Sequence, residues 1–243
     1  MPLESIFKPK LLFSMVRIGK KNDGGYLVGT NSLLSSKTLI TFGIKNDWSF
    51  ELDFIKANNN LKVICFDNQL NFRLLLRLVI QQLIFVFWNK NIFSLLLHIK
   101  NLFTFFKFKK KVKLIKKHIS YGDVLNISEK YDDIFFKIDI DGSEYRIFDE
   151  IIKIKHKILG LVIEVHDVDL HKEKIIHFIN QLEMELIHIH PNNFAGVDKN
   201  NDPIVIELTF EKNPKVLSDK LSFPHLLDMR NNPFIKDIEL TFK

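Results

Sequence analysis

The chain has 243 residues, of which 46% are hydrophobic and 26% charged, so it can bury a core and is not disordered as a whole. Its one cysteine, Cys65, excludes an intramolecular disulfide framework, and its first residues lack the apolar core of a secretion signal, so we expect a cytoplasmic protein. Residues 70–118 carry 11 Lys and Arg without any Asp or Glu, whereas the rest has 24 basic against 29 acidic residues, which does not suit a general nucleic-acid binder.

The N-terminal region, residues 1–37, is predicted to contain a β-hairpin. Val16–Gly19 and Tyr26–Val28 are two short apolar runs, and Asp23-Gly24 lies in the turn between them. Glycine accepts the positive φ that tight hairpin turns require, so this dipeptide favours a hairpin.

A strand, a helix and a second strand follow the hairpin. Thr38–Phe42 and Lys62–Phe66 are uninterrupted apolar runs, typical of parallel strands that are covered on both faces. Between them we expect a helix from Trp48 or Phe50 to Asn58, with Asp47 or Ser49 as its N-cap. The three elements form a βαβ unit.

Residues 70–118 interrupt this alternation as a basic, apolar insertion. Phe72–Phe106 predicts two helices broken near Asn89-Lys90-Asn91, with no apolar stretch long enough to cross a bilayer. Lys107–Lys117 is a dense cationic segment. Two roles stay open for the insertion: a lid or dimer interface over the ligand face, or contact with an anionic membrane surface.

The βαβ alternation resumes after the insertion and continues to the end of the chain. Helices are predicted over Tyr145–Ile154 and Leu170–Leu182. Strands are predicted over Lys117–Ser120, Ile134–Ile140, Leu161–Val165, Met184–His190 and Ile204–Phe210, and the short echo Ile238–Phe242 also has a strand pattern. The whole chain, residues 1–243, is therefore expected to be one α/β domain with a doubly wound sheet.

Polar side chains follow nearly every predicted strand, at the edge where ligands of open parallel sheets bind. These residues are Gly43, Asp67, Asp123, Asp139, Asp141, Glu164, His166, His190, Asn192 and Asn193. Their recurrence at one edge favours a shared site. Asp67 follows the second strand, where a carboxylate can accept both hydroxyls of a ribose, although a helix-capping acid is the alternative. The loop after Gly43 lacks the glycine patterns that bind a dinucleotide or a nucleoside triphosphate.

Four segments resemble FkbM-type S-adenosylmethionine-dependent methyltransferases. They are VRIGKKNDGGYLV at 16–28, TFGIKNDWSFE at 41–51, FKIDIDGSE at 136–144, and residues 190–194 together with 203–210. The resemblance implies a class I methyltransferase fold, a Rossmann-like sheet of seven mostly parallel strands with an antiparallel last hairpin. It also implies S-adenosylmethionine as cofactor and a sugar hydroxyl, in a glycan or a lipid-linked saccharide, as methyl acceptor.

The resemblance also assigns the residues that would bind the cofactor. Gly43 would let the chain turn beneath it, Asp67 would hold the ribose and Asp139 would contact it. Asp123 would lie near the adenine, with a helix cap as the alternative. Lys45 stands near the position where the family usually has a second glycine in the first loop, so this loop departs from the family pattern.

Methyl transfer to a sugar hydroxyl needs a group that takes the hydroxyl proton. Asp139, Glu164 and His166 are expected to face one acceptor pocket as the catalytic residues, with His166 as base and His190 as the second choice. The clustered carboxylates require compensation, either by a salt-bridged network with Lys137 or by a divalent cation such as Mg²⁺.

The acceptor itself would be bound by Glu144, His190, Asn192 and Asn193, since amide side chains both donate to and accept from hydroxyls. A simple turn is the alternative for Asn192 and Asn193. Two other functions stay open for the chain. One is a non-catalytic membrane-surface or assembly module on this scaffold, and the other is a methyltransferase of a lipid or small metabolite. A homo-oligomer is also compatible with the sequence.

Overall fold

The structure is a computed structural model that describes residues 3–89 and 92–243. Its strands are β1 (Leu12–Phe13), β2 (Met15–Ile18), β3 (Tyr26–Gly29), β4 (Thr38–Phe42), β5 (Lys62–Phe66), β6 (Lys113–Ile115), β7 (Ile134–Ile138), β8 (Ile158–Val165), β9 (Glu185–Pro191), β10 (Ile206–Glu211) and β11 (Val216–Ser218). Its α-helices are α1 (Thr30–Ser35), α2 (Ser49–Ala57), α3 (Phe72–Asn89), α4 (Ile92–Lys111), α5 (Asp123–Ser128), α6 (Phe148–Lys153) and α7 (Val168–Leu182).

A sheet of seven strands forms the centre of the molecule, in the order β6-β5-β4-β7-β8-β10-β9. Neighbouring strands from β6 to β8 run parallel, and β10 is antiparallel to both β8 and β9. This order, which reverses between β4 and β7 and ends in an antiparallel hairpin, is that of the class I methyltransferases. The expected fold class is therefore confirmed.

The sheet is covered on both faces, as its uninterrupted apolar strands predict. Successive residues of a strand point to opposite faces, so Leu39 packs into one core and Ile40 into the other. Helices α5, α6 and α7 cover one face, and α2, the β2–β3 hairpin and the base of the insertion cover the other. The predicted hairpin is confirmed, since β2 pairs antiparallel with β3.

The insertion contains the two predicted helices, and its last part supplies β6, an edge strand of the main sheet. Asn71 caps α3, because its Oδ1 accepts the backbone N–H of Leu74 at 2.9 Å. Helix α3 ends at Asn89 and α4 begins at Ile92, and the centre of the predicted break lies outside the described residues. No helix in the described part of the chain is long and apolar enough to cross a membrane.

Several predicted elements differ from the structure. The strand expected over Lys117–Ser120 lies earlier, at Lys113–Ile115, because Asp123 draws the later residues into a loop by binding Lys117 and Ser120. Helix Tyr145–Ile154 is a 3₁₀ turn followed by the shorter α6. The Ile238–Phe242 segment forms only a bridge from Phe242 to Leu3, because it reaches no open edge of the main sheet.

The strand predicted over Ile134–Ile140 ends two residues early, at Ile138. Asp141 and Gly142 both have positive φ, 52° and 89°, so the chain leaves the sheet in a tight turn directly after Asp139. Asp139 thus stands at the tip of the strand, at the carboxyl edge of the sheet.

Candidate active site

The loop after β4 is held against the end of β7 at Gly43. Gly43 has φ 78°, and a Cβ at this position would lie 1.8 Å from the carbonyl oxygen of Asp139. The ammonium group of Lys137 donates to the carbonyl oxygen of Gly43 at 2.8 Å. Only glycine fits here, so the backbone can run closely beneath whatever occupies the edge of the sheet.

Asp67 anchors the same loop from the end of β5. Its Oδ2 accepts the backbone N–H groups of Ile44 and Lys45 at 3.0 and 2.9 Å, and its Oδ1 accepts those of Gln69 and Leu70 at 2.8 and 2.6 Å. A carboxylate has about four acceptor directions, and all of them are used. Asp67 therefore joins the loops after β4 and β5, and a ribose hydroxyl would have to share these acceptors.

These loops, the end of β7 and α3 enclose a cavity of about 350 Å³. Gly43, Asp67 and Asp139, three of the residues predicted to bind the cofactor, line this cavity. Leu74 and Leu78 of α3 form an apolar part of its wall. The three sequence-predicted residues, which are far apart along the chain, thus meet at one cavity on the carboxyl edge of the sheet.

Lys45 reaches into this cavity. Its backbone has φ 57°, and its ammonium group lies 2.8 Å from Asp141 Oδ1 and 3.6 Å from Asp139 Oδ1. Asp139 Oδ1 is buried and accepts no hydrogen bond from the described residues. The cavity therefore holds a carboxylate that faces a cation but keeps a free acceptor.

Asp123, the residue expected near the adenine, does not line the cavity. Its carboxylate accepts the ammonium of Lys117 and both the backbone N–H and the hydroxyl of Ser120. Burial alone would raise the pKa of Asp123, but these hydrogen bonds lower it below its usual value. Asp123 thus anchors the loop before α5. This role is close to that of a helix cap, the alternative given above for this residue.

A cluster of ionisable side chains adjoins the cavity, at the ends of β7 and β8. His166 Nδ1 lies 3.2 Å from Glu144 Oε1, and its Nε2 lies 3.5 Å from Glu164 Oε1. Lys137 is buried and lies 3.5 Å from Asp139. The imidazole is therefore bracketed by two carboxylates, and the predicted grouping of Asp139, Glu164 and His166 is present.

The surroundings of His166 change its protonation. Burial opposes protonation, but the hydrogen bond to Glu144 and the charges of Glu164 and Asp139 raise the pKa of His166 to about 9. Burial and the neighbouring carboxylates of Asp139 and Glu207 raise the pKa of Glu164 to about 8. Burial also opposes ionisation of Asp139, yet the ammonium groups of Lys137 and Lys45 hold its pKa below the usual range.

One ligand atom from each of Asp139, Glu164 and His166 lies within 4.8 Å of the others, a spacing that a metal ion could bridge. Lys137 and Lys45 already supply positive charge to Asp139. The geometry thus favours the salt-bridged form of the cluster, in which the cations are side chains of the chain itself.

The cluster includes two residues that the sequence motifs do not single out, Tyr26 and Glu207. The hydroxyl of Tyr26, on the hairpin, donates to Glu164 Oε2 at 3.2 Å. Glu207 of β10 stands opposite Glu164 of β8 and opposite His190 of β9 in the strand register. The register could have revealed Glu207, because antiparallel partners at one height share a face of the sheet.

The structure places the predicted acceptor residues in two separate regions. Asn192 lies at the cluster, where its amide donates to Glu164 Oε1 at 3.2 Å. Glu144 is fully buried, and its Oε1 accepts the backbone N–H groups of Ile140 and Gly142 at 3.1 and 3.2 Å. Glu144 therefore positions the β7 loop and the His166 ring.

Asn193 and His190 face the C-terminal segment instead. Asn193 donates to the carbonyl oxygens of Asn232 and Ile235 and accepts the N–H of Asn232. His190 lies 3.8 Å from Asp228 and lines a second cavity, of about 310 Å³, beside residues 223–241. Neither residue lines the cavity that holds Gly43, Asp67 and Asp139.

No family model and no curated protein matches the chain. Among solved structures, it is similar to precorrin-6y C5,15-methyltransferase from Geobacter metallireducens, with 13% identity over 76% of this chain and 85% of that chain, and a TM-score of 0.41. Aeropyrum pernix fibrillarin with natively bound S-adenosyl-L-methionine has 9% identity over 74% and 68%, with a TM-score of 0.39. The mitomycin 7-O-methyltransferase MmcR has 9% identity over 76% and 52%, with a TM-score of 0.37.

Proposed function

We propose that the chain is an S-adenosylmethionine-dependent O-methyltransferase that methylates a hydroxyl of a sugar in a glycan or lipid-linked saccharide. One observation carries the proposal. The loop at Gly43 and the carboxylates of Asp67 and Asp139 meet at one cavity on the carboxyl edge of a sheet with the methyltransferase strand order, and the bracketed imidazole of His166 lies in the cluster that Asp139 shares with this cavity. This juxtaposition supports the FkbM-type resemblance of the sequence.

The residues of the cavity fit the chemistry of this cofactor. Gly43 leaves room where any side chain would collide with the β7 backbone. Asp139 offers a buried carboxylate with a free acceptor at the position now neutralised by Lys45, which suits the cationic methionine end of S-adenosylmethionine. Leu74 and Leu78 provide an apolar wall. When bound, the cofactor supplies a methyl group on a positively charged sulfur.

The chain's own residues would position the acceptor and manage its proton. Asn192 and His166 both contact the carboxylate of Glu164. The amide of Asn192 and the ring nitrogen of His166 lie next to the cavity, where they can orient an acceptor hydroxyl. With a pKa of about 9, His166 is protonated at neutral pH and donates to Glu144 and Glu164. To take the proton of the acceptor hydroxyl, His166 must first be deprotonated, and its deprotonated form becomes populated as the pH rises.

Calorimetry with S-adenosylhomocysteine tests the cofactor part of the proposal. The wild-type chain should bind, and Asp139→Asn should weaken binding by about tenfold or more, because one charged acceptor is lost. Asp219→Asn, a substitution of the same kind at an exposed site, should leave the affinity unchanged. A folded chain that gives no heat would overturn the proposal and favour the non-catalytic module. The position of Lys45 in the cavity is the observation that favours this alternative.

The acceptor is tested with S-adenosylmethionine labelled in its methyl group. Label should enter a lipid-linked saccharide or polysaccharide fraction, and His166→Gln should abolish this transfer without changing the calorimetric affinity. Transfer into a lipid fraction without sugar, or into small metabolites, would retain the methyltransferase and replace its acceptor.

A further inference from the structure

The helical insertion exposes one continuous apolar face, which is unusual for a part of a protein that contacts only water. We call this set of side chains the apolar face: Phe72, Leu76, Ile80, Leu83 and Ile84 of α3, and Ile92, Leu96, Phe103 and Phe106 of α4, each 40–73% exposed. Within each helix these side chains lie three, four or seven residues apart, apart from the adjacent Leu83 and Ile84, so they form one stripe along each helix.

The two stripes lie side by side on the same face of the helix pair. The rings of Phe72 and Phe106 are 5.4 Å apart, which places the start of α3 beside the end of α4. The opposite side of the pair is already used, because Leu75, Phe105 and Phe108 are buried in the core against the sheet. Trp48 stacks on Phe108 there, with ring centroids 5.3 Å apart. The apolar face is therefore the side of the helix pair that the described residues leave uncovered.

Positive charge collects at one end of this face. The cations flanking it, which we call the basic end, are Arg73, Arg77, Lys107, Lys109, Lys110 and Lys111, and all are exposed. An open groove of about 680 Å³ next to them is lined by Arg73, Arg77 and Lys116 together with Phe72. No Asp or Glu occurs anywhere between residues 70 and 118. The surface thus combines exposed apolar side chains with a cationic groove.

We propose that the apolar face and the basic end form a docking surface for an anionic lipid bilayer, on which the helix pair lies in the interface. The apolar side chains enter the acyl boundary, and the guanidinium and ammonium groups bind lipid phosphates. A nucleic acid would neutralise the cations but leave the apolar side chains in water. A second copy of the chain would bury the apolar side chains but bring two basic ends into one interface.

The docking surface adjoins the candidate active site. Leu74 and Leu78 of α3 line the cavity with Asp67 and Asp139, so the helix that would lie on the bilayer is also a wall of the cavity. A docked chain would hold this cavity next to the lipid headgroups. Membrane binding itself does not depend on the proposed methyl transfer, and it is tested without any activity measurement.

Vesicle flotation with the full chain tests the docking surface. The chain should float with phosphatidylcholine vesicles that contain phosphatidylglycerol and not with phosphatidylcholine alone, and flotation should decrease as salt is added. The same chain in sedimentation equilibrium should be monomeric in the absence of vesicles. A chain that never floats above a soluble control, or that buries the apolar face as a stable dimer, would overturn the proposal.

Two sets of variants separate the contributions. Replacing Lys107, Lys109, Lys110 and Lys111 by Gln should lower the partition onto anionic vesicles by roughly two to three orders of magnitude. The matched control replaces four exposed lysines elsewhere, Lys199, Lys215, Lys220 and Lys243, and should retain binding. Equal losses in the two variants would overturn the proposed site, because they would show a general charge effect.

The apolar contribution is tested with Leu76→Ser, Ile80→Ser and Phe103→Ser combined. These side chains are exposed, so the variant should keep the circular dichroism spectrum and unfolding midpoint of the wild type. We expect it to lose flotation even at low salt. Undiminished binding of this folded variant would overturn insertion of the apolar face.

Discussion

Lys45 adopts a left-handed backbone conformation at the wall of the cavity beside Gly43, where its ammonium pairs with Asp139 and Asp141. A positive φ is unfavourable for the backbone of a lysine. In the proposed function, the ammonium group of Lys45 also competes with the cationic end of S-adenosylmethionine for these carboxylates. We expect Lys45→Gly and Lys45→Met to bind S-adenosylhomocysteine about three- to tenfold more tightly, because its amino group can then pair with the carboxylates that Lys45 no longer contacts. Calorimetry measures the change.

The two Lys45 variants separate charge from conformation. Lys45→Met keeps the stem and the backbone strain but removes the charge, whereas Lys45→Gly removes both. If only Lys45→Gly binds more tightly, the effect is due to the backbone. Weaker binding by both variants would mean that Lys45 assists the cofactor instead of competing with it.

Asp67 has a structural role and also lines the cavity in which we propose that the ribose binds. Its two oxygens accept four backbone N–H groups, from the loops after β4 and β5. In Asp67→Asn an amide group faces two of these donors, so we expect the free energy of unfolding to fall by about 1–3 kcal/mol. The affinity for S-adenosylhomocysteine should fall with it, because the loop at Gly43 loses its anchor.

Urea unfolding and calorimetry give the two measurements for Asp67→Asn, with Asp219→Asn as the exposed control. Unchanged stability together with weaker binding would assign Asp67 to the ribose alone. Unchanged affinity would remove the predicted ribose role.

His166 should titrate well above an ordinary histidine. Its pKa is raised to about 9, chiefly by Glu144, with Glu164 and Asp139 contributing, although burial opposes the rise. We expect the ring resonance of His166 to move with a midpoint of about 9 in an NMR titration. Glu144→Gln should lower this midpoint toward the usual value, since the largest favourable contact is lost.

Glu144 is completely buried, so Glu164→Gln serves as a second variant if Glu144→Gln fails to fold. Glu164→Gln should also lower the His166 midpoint, by a smaller amount. A wild-type midpoint near 6.5, the unperturbed histidine value, would contradict the bracketed arrangement of the ring.

At the scale of elements, the base of the insertion is tied to the domain by aromatic packing. Phe108 of α4 is fully buried and stacks on Trp48, which precedes α2. Phe108→Ala should lower the free energy of unfolding by about 3–5 kcal/mol, because it leaves a cavity between the helix and the sheet. Phe103→Ala, in the same helix but 73% exposed, is the matched control and should change stability by less than about 0.5 kcal/mol.

Urea denaturation measures both phenylalanine variants. Equal effects of the two substitutions would mean that α4 has no preferred face toward the domain. A small effect of Phe108→Ala would mean that the insertion unfolds apart from the core.

The elements that the sequence predicts best are those with a strong apolar pattern. The strands Thr38–Phe42 and Lys62–Phe66 agree residue for residue with β4 and β5, because buried parallel strands are continuous apolar runs. Elements with a weak apolar pattern are predicted less well. The prediction over Lys117–Ser120 is too late in the chain because a three-residue edge strand carries almost no pattern. Ile238–Phe242 alternates like a strand but forms only a bridge to Leu3.

At the scale of the whole molecule, chain topology determines which predicted site residues meet. Residues placed after parallel strands near the reversal of strand order, Asp67, Asp139 and His166, do gather at one edge. Asn193 follows β9 but is bound by Asn232 and Ile235 of the C-terminal segment. That segment has no periodic pattern, so its path across the end of β9 could not be read from the sequence.

The same topology concentrates buried ionisable groups in one row across the antiparallel end of the sheet. Burial and Asp139 raise the pKa of Glu164 to about 8, and burial raises that of Glu207 to about 7. The pKa values of His166 and His190 are raised to about 9, despite burial, by Glu144 and by Asp228 respectively. All four groups therefore bind protons more tightly in the folded chain than in the unfolded chain.

This common direction makes stability depend on pH. Where the folded state binds more protons, the free energy of unfolding falls as the pH rises, so stability should decrease from about pH 6 to about pH 9, on the order of several kcal/mol. The carboxyls with lowered pKa, those of Asp139, Asp123, Asp198 and Asp228, titrate in acid and do not offset this loss. Urea unfolding across this range measures the slope, and Glu207→Gln should flatten it because one of the proton-binding groups is then absent. A wild-type stability that stays constant or increases toward pH 9 would show that these groups do not retain their protons in the folded chain.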